Sequence, residues 1–487
     1  MSEYKLFTQR IGLVAALSLL VSLNAIILLP ILTKNIPIVD YGVWIQITVT
    51  ISLGTIFTLL GLSSSTVRFL ASAKERKDLQ EGFYSVFFTV LLTSLVVASL
   101  LILLSEPIAA IFFNEEAEVL KIASIIIIFS SLNEVFLNFF RTRQKIQRYS
   151  IFLFIKLASN LLLIAYFVST GNGIVGAVVG YLASEALTCL MMSVHTVCKL
   201  GFRIPDFRNI REYLAFGIFI VPTTISTWVV SSSDRYLIGM FLGTTYVGYY
   251  SPGYTLGNML TMLVTPFSFL LPAVLSKHYD ESNMQTVRTL LEYSFKYFLT
   301  LAIPSAFGLS LLSKPILAIL STPQIAENGF LITPFTALSA LMMGAYSIIY
   351  NVLILEKKTK DLSIIWLVAA ALNLGLNFIF VPYFGIMGAA MTTLIAYTVA
   401  FLAITYRSFQ FLRFNIDAIF ILKSIFASIV MSLLLLQWYP IDKLGILVSV
   451  AAGALTYVAV LVMLRGFKKN EIMFFKGLLV SRVQLPK

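Results

Sequence analysis

Apolar residues run in unbroken stretches of about twenty, separated by short polar segments, from near residue 11 to residue 464. A hydrocarbon core about 30 Å thick takes about 20 helical residues to cross, and on that rule the pattern predicts fourteen spans. In the first half they lie near 11–33, 41–66, 83–104, 119–140, 150–168 and 174–197. The others lie near 213–239, 247–275, 291–312, 330–355, 362–381, 386–406, 417–438 and 444–464. Continuously apolar runs, rather than alternating ones, exclude a transmembrane β-barrel. The first run is too long for a cleaved signal, and Pro30, Ile31 and Leu32 continue it where small residues would mark a cleavage site.

Composition agrees with the pattern. Of 487 residues 59% are apolar and 12% charged, and the mean hydropathy is +0.91, which excludes a soluble enzyme and a disordered chain. Cys189 and Cys198 share one apolar stretch, too far apart along a helix for a disulfide, and with His195 and His278 they give no zinc-ligand spacing. No Walker A sequence, nucleotide-binding glycine turn or His-Glu-x-x-His helix is present, so no cofactor is expected. The predicted outer loops are short and leave no room for a catalytic domain. Their one acidic cluster, Glu115, Glu116 and Glu118, reads as a solvated loop. The chain is expected not to be an enzyme, and transport energy must come from a gradient or from the substrate.

Lysine and arginine orient the bundle, because cytoplasmic loops retain them. With the N-terminus inside, the inner loops hold Lys74, Arg76 and Lys77; Arg141, Arg143, Lys145 and Arg148; Lys199, Arg203, Arg208 and Arg211; and Lys357, Lys358 and Lys360. The tail adds Arg465, Lys468, Lys469 and Lys476, whereas the outside holds Lys34, Lys121, Lys314 and Lys443. Both termini are therefore expected in the cytoplasm of a multi-pass cell-membrane protein. The +12 net charge follows from this loop bias and implies no nucleic-acid partner.

The chain also repeats itself. A shift of 213 places Asn138 on Asn351, Ser150 on Ser363, Asn160 on Asn373 and Phe167-Val168 on Phe380-Val381. A shift of 212 lays Gly173-Ile174-Val175-Gly176-Ala177 on Gly385-Ile386-Met387-Gly388-Ala389, and Tyr41-Gly42-Val43-Trp44 weakly echoes Val247-Gly248-Tyr249-Tyr250. Six spans per copy is an even number, so the copies enter the membrane in the same sense, as parallel repeats do. The expected fold is an all-α polytopic membrane protein: two parallel six-helix lobes, residues 1–199 and 200–408, with an appended helix pair and basic tail over 409–487.

Asp234-Arg235-Tyr236-Leu237-Ile238-Gly239, Leu242-Gly243 and Val247-Gly248-Tyr249-Tyr250 resemble the signature opening the second lobe of Wzx-type polysaccharide and oligosaccharide flippases. Asn373-Leu374-Gly375-Leu376-Asn377, Val381-Pro382 and Phe384-Gly385-Ile386-Met387-Gly388-Ala389-Ala390 are similar to that family's eleventh and twelfth spans. Pro30, Asp40-Tyr41-Gly42, Gly61-Leu62 and Arg68 fit its opening pattern. The family lies in the multidrug, oligosaccharidyl-lipid and polysaccharide exporter superfamily. The resemblance implies movement of a polyprenyl-linked oligosaccharide from the inner to the outer leaflet, for surface glycan synthesis, with glycan-assembly proteins as candidate partners. Where the lipid II flippase has a charged pair in its eighth span, Ser251-Pro252-Gly253-Tyr254 is uncharged, so lipid II itself is not the expected substrate. The alternatives are a cation-coupled drug antiporter of the same superfamily and an integral glycan polymerase or ligase. A major-facilitator transporter is opposed by Ala71-Ser72-Ala73-Lys74-Glu75-Arg76-Lys77-Asp78, which lacks that group's Gly-Asp-Arg loop.

A phosphate head crossing the bilayer needs fixed positive charge and hydrogen bonds. Arg68, near the inner end of span two, and Arg235, in the outer half of span seven, are candidate docking points, with Arg141 and Lys156 beside them. Arg68 equally suits a snorkelling anchor, and Arg235 an ion pair with Asp234. Glu134, Asn138 and Arg141 share one helix face, as do Lys156 and Asn160. Asn138, Asn160, Asn373 and Asn377 are candidate cavity lining, or helix-to-helix contacts, with Glu134 a partner for Lys156. Glu185, near the midplane and expected to be unpaired, is the first candidate for coupling to a proton or sodium ion, ahead of Glu134 and Asp234. Prolines 30, 222, 266, 272 and 304 and glycines 171, 173, 176 and 180 mark bends or helix ends.

Overall fold

The computed structural model describes residues 20–437 and 442–467, other than 22, 72, 74 and 144, and is helical throughout. The expected first span lies partly outside the described residues. Its described part includes α1, Leu23–Thr33. The first half continues with α2 (Ile38–Leu59), α3 (Leu62–Leu70), α4 (Arg76–Leu103), α5 (Ser105–Phe112), α6 (Ala117–Thr142), α7 (Ile146–Ser169) and α8 (Gly173–Leu200). The second holds α9 (Ile210–Ile218), α10 (Val221–Leu242), α11 (Thr244–Asn258), α12 (Thr265–Asp280), α13 (Met284–Leu320), α14 (Pro323–Gly329), α15 (Ile332–Leu355) and α16 (Thr359–Phe409). Two last helices follow, α17 (Ala418–Gln437) and α18 (Lys443–Met463).

Among the described residues eleven helical stretches are long and apolar enough to cross a bilayer. Counting as one span the pair formed by Phe207–Ile218 and α10, bent by 45°, brings the number to twelve. The chain is therefore an all-α polytopic membrane protein. Spans that read as continuous in the sequence are broken. Leu60 (φ 46°) and Gly61 (φ 73°) are left-handed and part α2 from α3, and a 3-10 turn, Met259–Leu263, interrupts the run from α11 to α12. Drawn straight, the 51 residues of α16 would reach about 77 Å at 1.5 Å per residue. Instead the chain reverses at Gly385, whose φ of 61° and ψ of −146° lie outside the helical region. The Thr392 hydroxyl consequently donates to the Asn377 side-chain oxygen at 2.9 Å, fifteen residues back.

That reversal has a counterpart between α7 and α8. Gly173 (φ 55°), matched to Gly385 (φ 61°) by the 212-residue shift, also has a positive φ. A Cβ on Gly176 would lie 2.7 Å from the Phe167 carbonyl oxygen, and one on Gly388 would overlap the Phe380 carbonyl oxygen. Phe167 and Phe380 are themselves matched in the repeat, so both turns are closed by the same glycine-on-carbonyl contact. Only a residue without a side chain permits it.

Buried apolar side chains segregate along the chain. Two clusters, one around Ile47, Ala123 and Ile164 and one around Phe83, Phe136 and Met192, draw mainly on the first half. The largest belongs to the second half and takes in Ala427, Met431, Tyr457 and Leu461 of α17 and α18, so the last pair packs on α13 and its neighbours. Between the halves, α2 crosses α11 with glycines in contact. A Cβ on Gly42 would overlap the Thr244 carbonyl, and a Cβ on Gly248 would lie 2.7 Å from the Ile38 carbonyl oxygen. Ile38 to Thr244 and Gly42 to Gly248 are the same interval, 206 residues. The contact is thus reciprocal, as across a two-fold axis. Farther along, Gly61 meets the backbone of Gly217, and the Ser65 hydroxyl donates to the Tyr213 carbonyl at 2.7 Å.

Candidate functional site

A cavity of about 310 Å³ lies where α1, α2, α7, α8 and α11 converge. Its polar lining is Asn24, Tyr41, Thr48, Lys156, Asn160, Tyr181, Glu185 and Thr255. Glu185 and Lys156 face each other from adjacent antiparallel helices, with Nζ 3.1 Å from Oε1. The Glu185 side chain is 0% exposed and that of Lys156 19%, so the lysine is the partner that reaches the open space. The other carboxylate oxygen accepts from Asn133 Nδ2 at 2.6 Å, and the same amide donates to Thr188 Oγ1 at 3.1 Å. A buried carboxylate is tolerated when it is paired and hydrogen-bonded, and both conditions are met. Trp44 and Tyr181 add an aromatic wall, with ring centroids 5.8 Å apart.

Two expectations are corrected here. Glu185 is paired, and Lys156, for which Glu134 was one candidate partner, meets Glu185 instead. Glu134 is half-buried and forms no ion pair among the described residues. The reason is rotation: consecutive helical residues point about 100° apart, and α6 turns Asn133, not Glu134, towards α8. Asn133 and Tyr181 were not singled out from the sequence. Tyr181, Glu185 and Thr188 follow at helical i, i+4 and i+7 spacing, which was the available signal.

A second polar cluster is closed on itself. Arg235 Nη1 lies 2.6 Å from Asp234 Oδ1, and the guanidinium sits 3.8 Å from the centre of the Tyr254 ring. The Tyr250 hydroxyl donates to the other Asp234 oxygen, and Gln46 of α2 donates to the Arg235 carbonyl at 3.3 Å. Arg235 and Asp234 are buried and do not line the cavity just described. Asn373 and Asn377 are fully buried inside the α16 hairpin, where Asn377 Nδ2 donates to Asn373 Oδ1 at 3.2 Å. Asn138 donates to Ser63 Oγ at 3.0 Å and accepts from Arg141 at 2.7 Å. Exposed Arg68 lies 4.6 Å from the Phe216 ring centre, touching α9 from α3. Of the sequence candidates, Lys156, Asn160 and Glu185 therefore share one cavity, and the others do not join them. Among the described residues no group of three or more His, Cys, Asp or Glu side chains is placed to hold a metal.

In the second half an apolar groove of about 520 Å³ runs between α13, α17, α18 and the 3-10 turn before α12. Leu260, Leu309, Met431 and Tyr457 are among its walls.

The fold is that of a solved membrane-protein structure. The solved structure described as "Lipid II flippase MurJ, inward closed conformation" superposes with a TM-score of 0.74 at 19% identity, over 93% of this chain and 98% of that one. Residues 31–327 match the family described as "Polysaccharide biosynthesis protein", and the chain belongs to that family. It is 26% identical to the "Probable flippase AglR" of Haloferax volcanii over 47% of this chain and 50% of that protein. It is 25% identical to the "Probable low-salt glycan biosynthesis flippase Agl15" of the same organism, over 40% and 41%. The chain thus spans half or less of the length of these two curated relatives. Both curated relatives and the superposed structure are named as flippases.

Proposed function

We propose that this protein is a flippase that moves a polyprenyl-(pyro)phosphate-linked oligosaccharide from the cytoplasmic to the outer leaflet of the cell membrane. The observation that carries the reading is the cavity formed by α1, α2, α7 and α8 of the first half and closed by Thr255 of α11, which combines an ion pair, amides, hydroxyls and aromatic rings. Sugars present alternating donors and acceptors on an apolar ring, and that lining offers partners for both. The apolar groove beside α17 and α18 gives the isoprenoid tail a place to stay in contact with lipid while the head group passes. The names of the relatives, flippases of glycan pathways, support the same substrate class.

The mechanism in this reading is alternating access by two six-span lobes, residues 1–199 and 200–408, carrying an appended pair within 409–487. In this reading α16, divided at Gly385, gives a thirteenth span and the run that holds α1 a fourteenth, with both termini in the cytoplasm. The reciprocal glycine contact of α2 with α11 and the matched turns at Gly173 and Gly385 support the parallel repeat. Arg68 and Arg141 are the cationic groups for a phosphate on its way, and Glu185 or Glu134 the carboxylates for proton or sodium coupling. Reconstitution into liposomes with a labelled lipid-linked oligosaccharide tests the reading. Appearance of the unaltered label at the far leaflet is expected. A lengthened glycan would identify a polymerase, and efflux of organic cations without lipid movement a drug antiporter.

A further inference from the structure

We propose that the sugar this cavity accepts is uncharged, and that Glu185 sets the preference by neutralising Lys156. The proposal rests on the flippase reading and adds the class of glycan. Lys156 and Glu185 are the charged side chains among the cavity's lining residues, and they are 3.1 Å apart. The other polar lining groups are the amides of Asn24 and Asn160 and the hydroxyls of Tyr41, Thr48, Tyr181 and Thr255. The remaining charged groups near the cavity do not change this sum in favour of an anion. Asp234 and Arg235 cancel each other within the second cluster, and Glu134, on the neighbouring α6, adds negative charge.

A carboxylate on an incoming sugar would have to take Lys156 from Glu185. Glu185 cannot turn to water in exchange: its side chain is 0% exposed and its second oxygen is held by Asn133 at 2.6 Å. Two carboxylates would then share one ammonium group that is itself only 19% exposed, an arrangement that like-charge repulsion disfavours. A hydroxymethyl group meets no such obstacle, since it can accept from Lys156, the partner that reaches the open space, with the ion pair intact. The linking phosphate is common to every such substrate and lies between sugar and tail, so the sugar's own charge is what this lining sorts.

The test compares polyprenyl-phosphate glucose with polyprenyl-phosphate glucuronic acid, which differ at one carbon, in liposomes containing the full chain. Wild-type protein is expected to move the glucose lipid at least about tenfold faster, as a like-charge penalty requires. Glu185→Gln leaves Lys156 free and is expected to narrow or reverse the ratio. The double variant Lys156→Gln/Glu185→Gln, again neutral, is expected to restore the preference for glucose, with a melting curve confirming that each variant is folded. Equal or faster movement of the glucuronic acid lipid by wild type overturns the proposal while leaving the flippase reading in place. A ratio unmoved in a folded Glu185→Gln variant removes Glu185 from the preference. Movement of neither lipid overturns the flippase reading itself.

Discussion

Gly42 and Gly248 face one another across the boundary between the two halves, each placed where a side chain would strike the backbone of the opposite helix. Because the obstacle is a carbonyl group rather than a flexible side chain, the helices cannot yield locally. Gly42→Val and Gly248→Val are each expected to cost about 1–3 kcal/mol by overpacking and to lower the melting temperature in detergent. The double variant should cost less than the sum, since one displacement relieves both wedges. Unchanged melting of both single variants would show that the halves do not meet there.

The Lys156–Glu185 pair makes a separate prediction. Lys156→Met leaves a fully buried carboxylate with Asn133 alone and is expected to destabilise by about 3–5 kcal/mol. Lys156→Met/Glu185→Gln should recover most of that loss, because it is the stranded charge that is costly. A denaturation cycle showing additive single effects would mean that the two side chains are not coupled.

How far these contacts were legible in the sequence differs from one to the next. The helical bundle was legible because bilayer burial demands long apolar runs. The breaks at Leu60 and at Met259–Leu263 were not, because hydropathy averages over a left-handed residue or a 3-10 turn as readily as over a helix. The contact of Asp234 with Arg235 was foreseen as a possibility of adjacency, but the Tyr254 ring that completes it comes from another helix. Lys156 was matched to Glu134 because both lie on polar faces of consecutive spans. Which face meets which is set by helix rotation and packing, and no spacing within one helix encodes it.

Arg235→Ala would strand Asp234 in a buried site and remove the cation from the Tyr254 face. Loss of transport is expected together with a clear loss of folded protein, and Arg235→Lys should recover part of both, since an ammonium keeps the charge but not the planar fork. Wild-type transport by a stable Arg235→Ala variant would make the cluster dispensable.

Gly385 and Gly375 offer an internal control, since neither has an atom within 4 Å of an added Cβ. Gly385→Ala forces a side chain into a backbone region open to glycine, at a cost of about 1–3 kcal/mol. Gly375→Ala, within the helix, should instead stabilise by about 0.5–1 kcal/mol. Equal melting temperatures for the two variants would mean that the reversal does not sit at Gly385.

Topology is checked by cysteine labelling in a Cys189→Ser/Cys198→Ser background. An impermeant maleimide is expected to reach Glu116→Cys in intact cells and Lys358→Cys only after permeabilisation. Labelling of both from one side would overturn the orientation drawn from the loop charges.

The hairpin in α16 bears on how the protein is made. Asn373 and Asn377 on the outgoing arm are fully buried, and Asn377 takes its hydrogen bond from Thr392 on the returning arm. An arm leaving the translocon alone would keep the Asn377-to-Asn373 bond but leave the Asn377 oxygen without its donor in hydrocarbon, which is costly. During synthesis, then, the first arm gains by waiting at the protein-lined exit until Gly385 has turned the chain and Thr392 has arrived. The pair partitions into lipid as one unit, and a variant that slows the turn should stall at biogenesis rather than at transport.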